Sequence, residues 1–317
     1  MIRYVALAAG VLIVSTAALL IRLAIGEGAG SLAVAAGRLT IAALVVVPLA
    51  LALRGREIVR LSGADWSIAA VAGFFLAVHF ASWIASLAFT SVASSVALVT
   101  TNPIWVGLAS WLLLKAAPTR RTIGGIAVSI AGSLLILFAD ARAGEDAAAT
   151  DAPAPVLGNL LSLGGAMAMS GYLLVGAKLN RKLSLLSYVA IVYAAAAILL
   201  NLFAAASGEP LTTVPAAAWL PIAAMALGPQ LAGHTIINWS LRHLSPTFVA
   251  LAILGEPIGA AVLAWLFLGE GFRPLQLAGF LTLLSGIVIA ATGERAPPPV
   301  PAAPPAAAGA GAPRAKR

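Results

Sequence analysis

Glu256 is the only acid within a long apolar run, midway along the stretch Pro246–Leu268. A carboxylate at that depth costs several kcal/mol unless it faces a partner or a water-filled cavity. It can serve a substrate amine or a proton. It can equally hydrogen-bond backbone freed by Pro257, since proline removes an i−4 bond. Gly255 and Gly259, one helical turn apart, favour close packing at the same place. Arg38 lies well inside the run Ser31–Leu53, too deep to snorkel freely. It can bind a substrate carboxylate, pair with Glu256, or act as a structural ion pair or interfacial anchor. Arg22, nearer the end of its run, either snorkels or serves an outer gate.

His79 and His234 titrate near neutral pH and are proton carriers or packing histidines. With no cysteine in the chain and no acid at ligand spacing they make no metal site, and nothing else calls for a cofactor. Trp83, Asn102, Trp105, Tyr172, Tyr193, Asn238 and Trp239 also fall within apolar runs. Aromatic faces can hold apolar groups or cations and amides can fix orientation, so these residues line a cavity or pack helices. The candidate substrate cavity therefore gathers Arg38, His79, Trp83, Asn102, Tyr172, Tyr193, His234, Asn238 and Glu256. Pro103 and Pro257, each mid-run, are candidate helix breaks for gating.

The elements that must carry these residues are set by composition. Of 317 residues 61% are hydrophobic and 9% charged, with a mean hydropathy of +1.02. That places the chain among membrane proteins. Ten runs are long enough to span: Tyr4–Ile25, Ser31–Leu53, Trp66–Ala88, Val92–Leu114, Arg121–Ala139, Leu157–Lys178, Leu183–Ala206, Ala217–Leu241, Pro246–Leu268 and Phe272–Thr292. The first is read as a transmembrane helix and not as a cleaved signal, because it spans and further spans follow. The runs lack the alternation of barrel strands. Residues 141–156 are small, acidic and Pro-containing, a flexible extracytoplasmic linker. Residues 293–317 are Pro/Ala-rich with a basic end, a disordered cytoplasmic tail.

Basic residues follow the second, fourth, sixth, eighth and tenth runs, and Arg3 joins them on that side. The other side carries only Arg142 and Arg273. The positive-inside rule puts both termini in the cytoplasm of a bacterial-type inner membrane. The net charge of +8 thus reflects orientation in a lipid bilayer, not a nucleic-acid partner.

The second half repeats the first. Displaced by 154 positions, Ser245 falls on Ser91, Pro257 on Pro103, Trp265 on Trp111, Gly279 on Gly125 and Gly286 on Gly132. Five helices per repeat is an odd number, so the second repeat enters the bilayer from the opposite side. The expected fold is all-α: a polytopic membrane protein of ten transmembrane helices in two inverted five-helix repeats, residues 1–140 and 157–292.

Segments Ser91–Leu137 and Ser245–Ile289 resemble the paired EamA-type domains of the drug/metabolite transporter superfamily. The second half carries Glu256-Pro257 and Leu268-Gly269-Glu270; the first departs, with Asn102 before its Pro and Lys115-Ala116 in place of Gly-Glu. The resemblance implies a secondary transporter without obligatory cofactor, exporting small metabolites such as amino acids. It is compatible with a homo-oligomer. A non-transporting sensor or assembly partner is the alternative, although that role wants a folded extramembrane domain. An intramembrane enzyme lacks the His-Glu-x-x-His, Gly-x-Ser-x-Gly or paired intramembrane acids it would need, so no catalytic residue is assigned.

Single cysteines placed before the first span and after the last test this orientation. They are expected to react with a membrane-impermeant maleimide only once the membrane is opened; labelling at either terminus in intact cells reverses the assignment.

Overall fold

The computed structural model describes residues 1–114, 119–143, 153–240, 243, 252–253, 255–271 and 273–293. Most of the expected linker, the tail from residue 294 and the first part of the run Pro246–Leu268 lie outside them. The described chain is helical from end to end. In order it forms α1 (Ile2–Gly26), α2 (Ser31–Val59), α3 (Gly63–Ser86), α4 (Val92–Val99) and α5 (Asn102–Leu114). There follow α6 (Arg120–Ala143), α7 (Pro155–Lys182) and α8 (Leu185–Ala206). Then come α9 (Trp219–Met225), a π-helix (Ala226–Gly233), α10 (His234–Ser240), α11 (Gly255–Leu268) and α12 (Pro274–Gly293).

Among the described residues nine stretches are long and apolar enough to cross a membrane, and Gly255–Leu268 is a shorter apolar helix. The chain is an all-helical polytopic membrane protein. Helices suit this setting because hydrocarbon offers no partner for a bare N–H or C=O.

Two expected single helices are interrupted. Pro103 has no N–H for the Val99 carbonyl, and the run Val92–Leu114 breaks between α4 and α5. Threonines brace the last turn of α4: Thr100 Oγ1 donates to Val96 O at 3.0 Å and Thr101 Oγ1 to Leu98 O at 2.6 Å. In the run Ala217–Leu241, Pro229 sits inside the π-helical stretch that separates α9 from α10. Helix ends also reach further than hydropathy suggests. α2 continues through Arg54 and Arg56, and α6 and α7 run into the expected linker as far as Ala143 and back to Pro155.

Acidic side chains secure helix starts, where N–H groups lack intrahelical acceptors. Asp65 and Ser62 form a capping box on α3, and Lys182 pairs with Asp65. α2 and α8 cap each other. Glu57 near the end of α2 accepts from Ser184 Oγ and Ser187 Oγ at 2.7 Å each, while Glu209 after α8 accepts from the Leu32 N–H at 2.8 Å. Asp140 at the end of α6 accepts from Ser94 on α4 and Asn159 on α7, both at 2.7 Å.

Helices pair across the two halves. α2 lies on α8 and α6 on α12; α3 packs on α7, while α1 packs on α11 and on the span from α9 to α10. The α6–α12 seam is built on glycine. A Cβ on Gly132 would lie 2.7 Å from Leu283 Cα, and one on Gly125 2.7 Å from Ala290 Cα, so neither helix has room for a side chain there. Ser129 Oγ also reaches Leu283 O across this seam, at 3.5 Å.

Gly132→Leu is expected to force the seam apart and lower stability by at least about 2 kcal/mol, as overpacking does. Gly124→Leu, which meets open space, serves as the neutral control. Equal melting temperatures for the two variants in detergent contradict the close approach.

Candidate functional site

A cavity of about 240 Å³ lies between α1, α2, α3, α4, α5, α7, α10 and α11. Its wall is apolar through Val14, Ala17, Phe80, Val99, Met169, Leu173, Ile237 and Ile253, with polar groups from Arg38, His79, Trp83, Thr100, Asn102, His234 and Glu256. A small cavity with few polar groups in an apolar wall is the usual form of a small-molecule site.

Arg38 is the anchor, with only 1% of its surface exposed. Its Nε donates to Gln230 Oε1 at 2.8 Å, and its guanidinium lies 4.3 Å from the Phe80 ring centroid. That separation suits a cation on an aromatic face. Nη1 is buried without a hydrogen-bond partner, and so is Nε1 of Trp83. Both are donors on the cavity wall, and an unmet donor in such a place is a standing cost that a ligand acceptor relieves.

His79 Nδ1 lies 2.9 Å from Gly165 O. The carbonyl can only accept, so Nδ1 carries the proton and Nε2 is left as an acceptor. The imidazole stacks on Trp83, centroids 5.9 Å apart and planes at 19°. Asn102 opens α5 directly after the break, and Glu256 stands in the first turn of α11. Helix N-termini favour a carboxylate. Among the described residues the side chains of Asn102, His234 and Glu256 have no hydrogen-bond partner, and no ion pair joins Arg38 to Glu256. One cavity thus holds a cation and an acid that make no direct ion pair among the described residues.

Of the nine residues expected at the cavity, six line it: Arg38, His79, Trp83, Asn102, His234 and Glu256. Tyr172 does not; it stacks on Tyr188, centroids 6.2 Å apart. Tyr193 is buried behind the wall against Gln230. The side chain of Asn238 lies outside the described residues. Pro103 and Pro257 sit in the first turns of α5 and α11, beside Asn102 and Glu256. Gln230 is absent from the expected set, because nothing in its sequence neighbourhood distinguishes it from a packing amide.

Beyond the cavity, toward the end away from the N-terminus, Arg22 and Glu270 form an ion pair at 3.0 Å. Arg22 Nη1 donates to Leu87 O and Glu270 Oε2 accepts from the Val92 N–H, each at 2.8 Å. Gly269 makes this possible: its φ of 69° is left-handed, ending α11 and turning Glu270 back. The pair ties α1, α3 and α4 to the end of α11, so Arg22 does not snorkel.

The model of the EamA-like transporter family matches residues 1–138 and 156–292. An uncharacterized transporter of Archaeoglobus fulgidus is 25% identical over 242 residues, 74% of this chain and 76% of the relative. A protein of known crystal structure shares the fold, with a TM-score of 0.62 at 19% identity over 93% of this chain and 99% of that one.

Replacing the buried cation and its brace by apolar side chains, Arg38→Met with Gln230→Met, is expected to stabilise the ligand-free protein by about 1–4 kcal/mol. Unfolding in detergent measures it. A loss of stability instead means that the guanidinium is fully satisfied as it stands.

Proposed function

This chain belongs to the EamA-like transporter family, and on that premise we propose that it is a secondary transporter exporting a small zwitterionic metabolite, an amino acid in the first instance. The observation that carries this reading is a cation and an acid that share one cavity without a direct ion pair among the described residues. Arg38 Nη1 and Trp83 Nε1 lack acceptors, and Glu256 lines the same space. Buried charges of opposite sign that do not pair are each costly. A ligand with a carboxylate and an ammonium group relieves both, and the apolar wall between them accepts a hydrocarbon side chain.

Two inverted repeats moving against each other supply the access. The reading is supported by the family match, which falls once on each half. It is supported also by the exchange of partners in the packing. Helices equivalent under the repeat meet each other, α2 with α8 and α6 with α12, while α3 on α7 is mirrored by the span from α9 to α10 on α1. At the α6–α12 seam Ser129 meets Leu283, its own counterpart 154 positions on. Asn102-Pro103 and Glu256-Pro257 are likewise counterparts, and their helix starts flank one cavity, as do the interrupted helices of secondary transporters. With both termini in the cytoplasm, the Arg22–Glu270 pair closes the outer side.

Reconstituted vesicles test this with a panel of amino acids. Arg38→Ala and Glu256→Ala are each expected to cut flux by roughly tenfold or more, given a loss of at least about 1.4 kcal/mol. Joining the outer ends of the fourth and ninth spans through engineered cysteines should stop transport until a reductant is added. Full activity in the crosslinked protein sinks the alternating-access reading.

A further inference from the structure

Gln230 does not line the cavity, yet it controls the group that dominates it. The π-helical stretch Ala226–Gly233 carries it. A π-turn bonds five residues back, so it shifts the residues beyond it out of α-register, and such turns concentrate at functional sites. Here it sets a buried amide, 2% exposed, against a buried guanidinium, 1% exposed. Oε1 accepts from Arg38 Nε at 2.8 Å, and the amide is itself held by Tyr193 from α8.

The chemistry of this contact matters more than its length. A carboxylate on Nε would cancel the positive charge of Arg38 from within the protein. An amide of the same shape fixes the guanidinium plane, with Phe80 on one face, and leaves the charge without a bonded counter-ion and Nη1 unbonded. We propose that Gln230 is a positioning residue that sets the charge preference of the cavity: by bracing Arg38 with a neutral acceptor it reserves the guanidinium for an anionic group on the substrate. This rests on the reading of the cavity as the transport site.

Gln230→Glu and Gln230→Met, each in the full chain reconstituted in vesicles, separate charge from brace. The probes are α-amino acids and the matching primary amines that lack the carboxylate. With Gln230→Glu, KM for amino acids should rise roughly tenfold with kcat little changed, the signature of lost uniform binding. Preference should move toward the amines by a similar factor. Gln230→Met, which loosens the brace without adding charge, should raise KM for amino acids by a smaller factor and leave KM for the amines unchanged. Equal losses on both probes, or an unchanged preference in folded Gln230→Glu protein, overturn the proposal while leaving the transport reading in place. If Gln230→Glu does not fold, Gln230→Met decides: a raised KM at constant kcat supports the brace, and an unchanged KM overturns it. Absence of flux for every probe in the wild type overturns the transport reading and this proposal together.

Discussion

A helix start exposes N–H groups that hydrocarbon cannot satisfy, and this chain meets that constraint with its few acids. Glu57, Asp65, Glu209 and Glu270 each accept from backbone at the beginning of a helix, and Asp140 gathers the side chains of two more. Those of Glu57, Glu209 and Glu270, and that of Asp140 with Asn159, join helices from different halves of the chain, so there capping and assembly are one event. Glu256 is the exception: it sits in a first turn but finds no donor among the described residues. Its counterpart in charge, Arg38, is held by an amide and an aromatic face. Among the described residues, two of the three buried side-chain atoms without a hydrogen-bond partner, Arg38 Nη1 and Trp83 Nε1, lie on the wall of one cavity.

The packing that encloses this cavity is of the membrane kind. Lipid tails are as apolar as leucine, so close approach of backbones does the work that burial does in water. The glycine seam between α6 and α12 lies away from the polar lining and brings the closing helices of the two halves into direct contact.

Much of this was legible in the residues. Hydropathy runs are coarse signals that survive errors of a few positions, and the described spans match helices for that reason. Arg38 and Glu256 stood out because a charge inside an apolar run demands an explanation, and His79 and Asn102 followed as polar groups at similar depth. Tyr172 and Tyr193 were harder. A phenol is equally at home in a cavity wall and in a packed seam, and only the rotation of α7 and α8 decides. Gln230 was hidden for a different reason: a π-turn breaks the 3.6-residue period that assigns faces, so its direction cannot be counted from its neighbours.

The Arg22–Glu270 pair has no counterpart under the repeat offset. Displaced by the repeat offset, its positions hold Gly176 and Ala116, which carry no charge. Its side chains are partly open, 19% and 17% exposed, so dissolved ions reach and screen them. Added salt therefore loosens the tie between α1 and the end of α11.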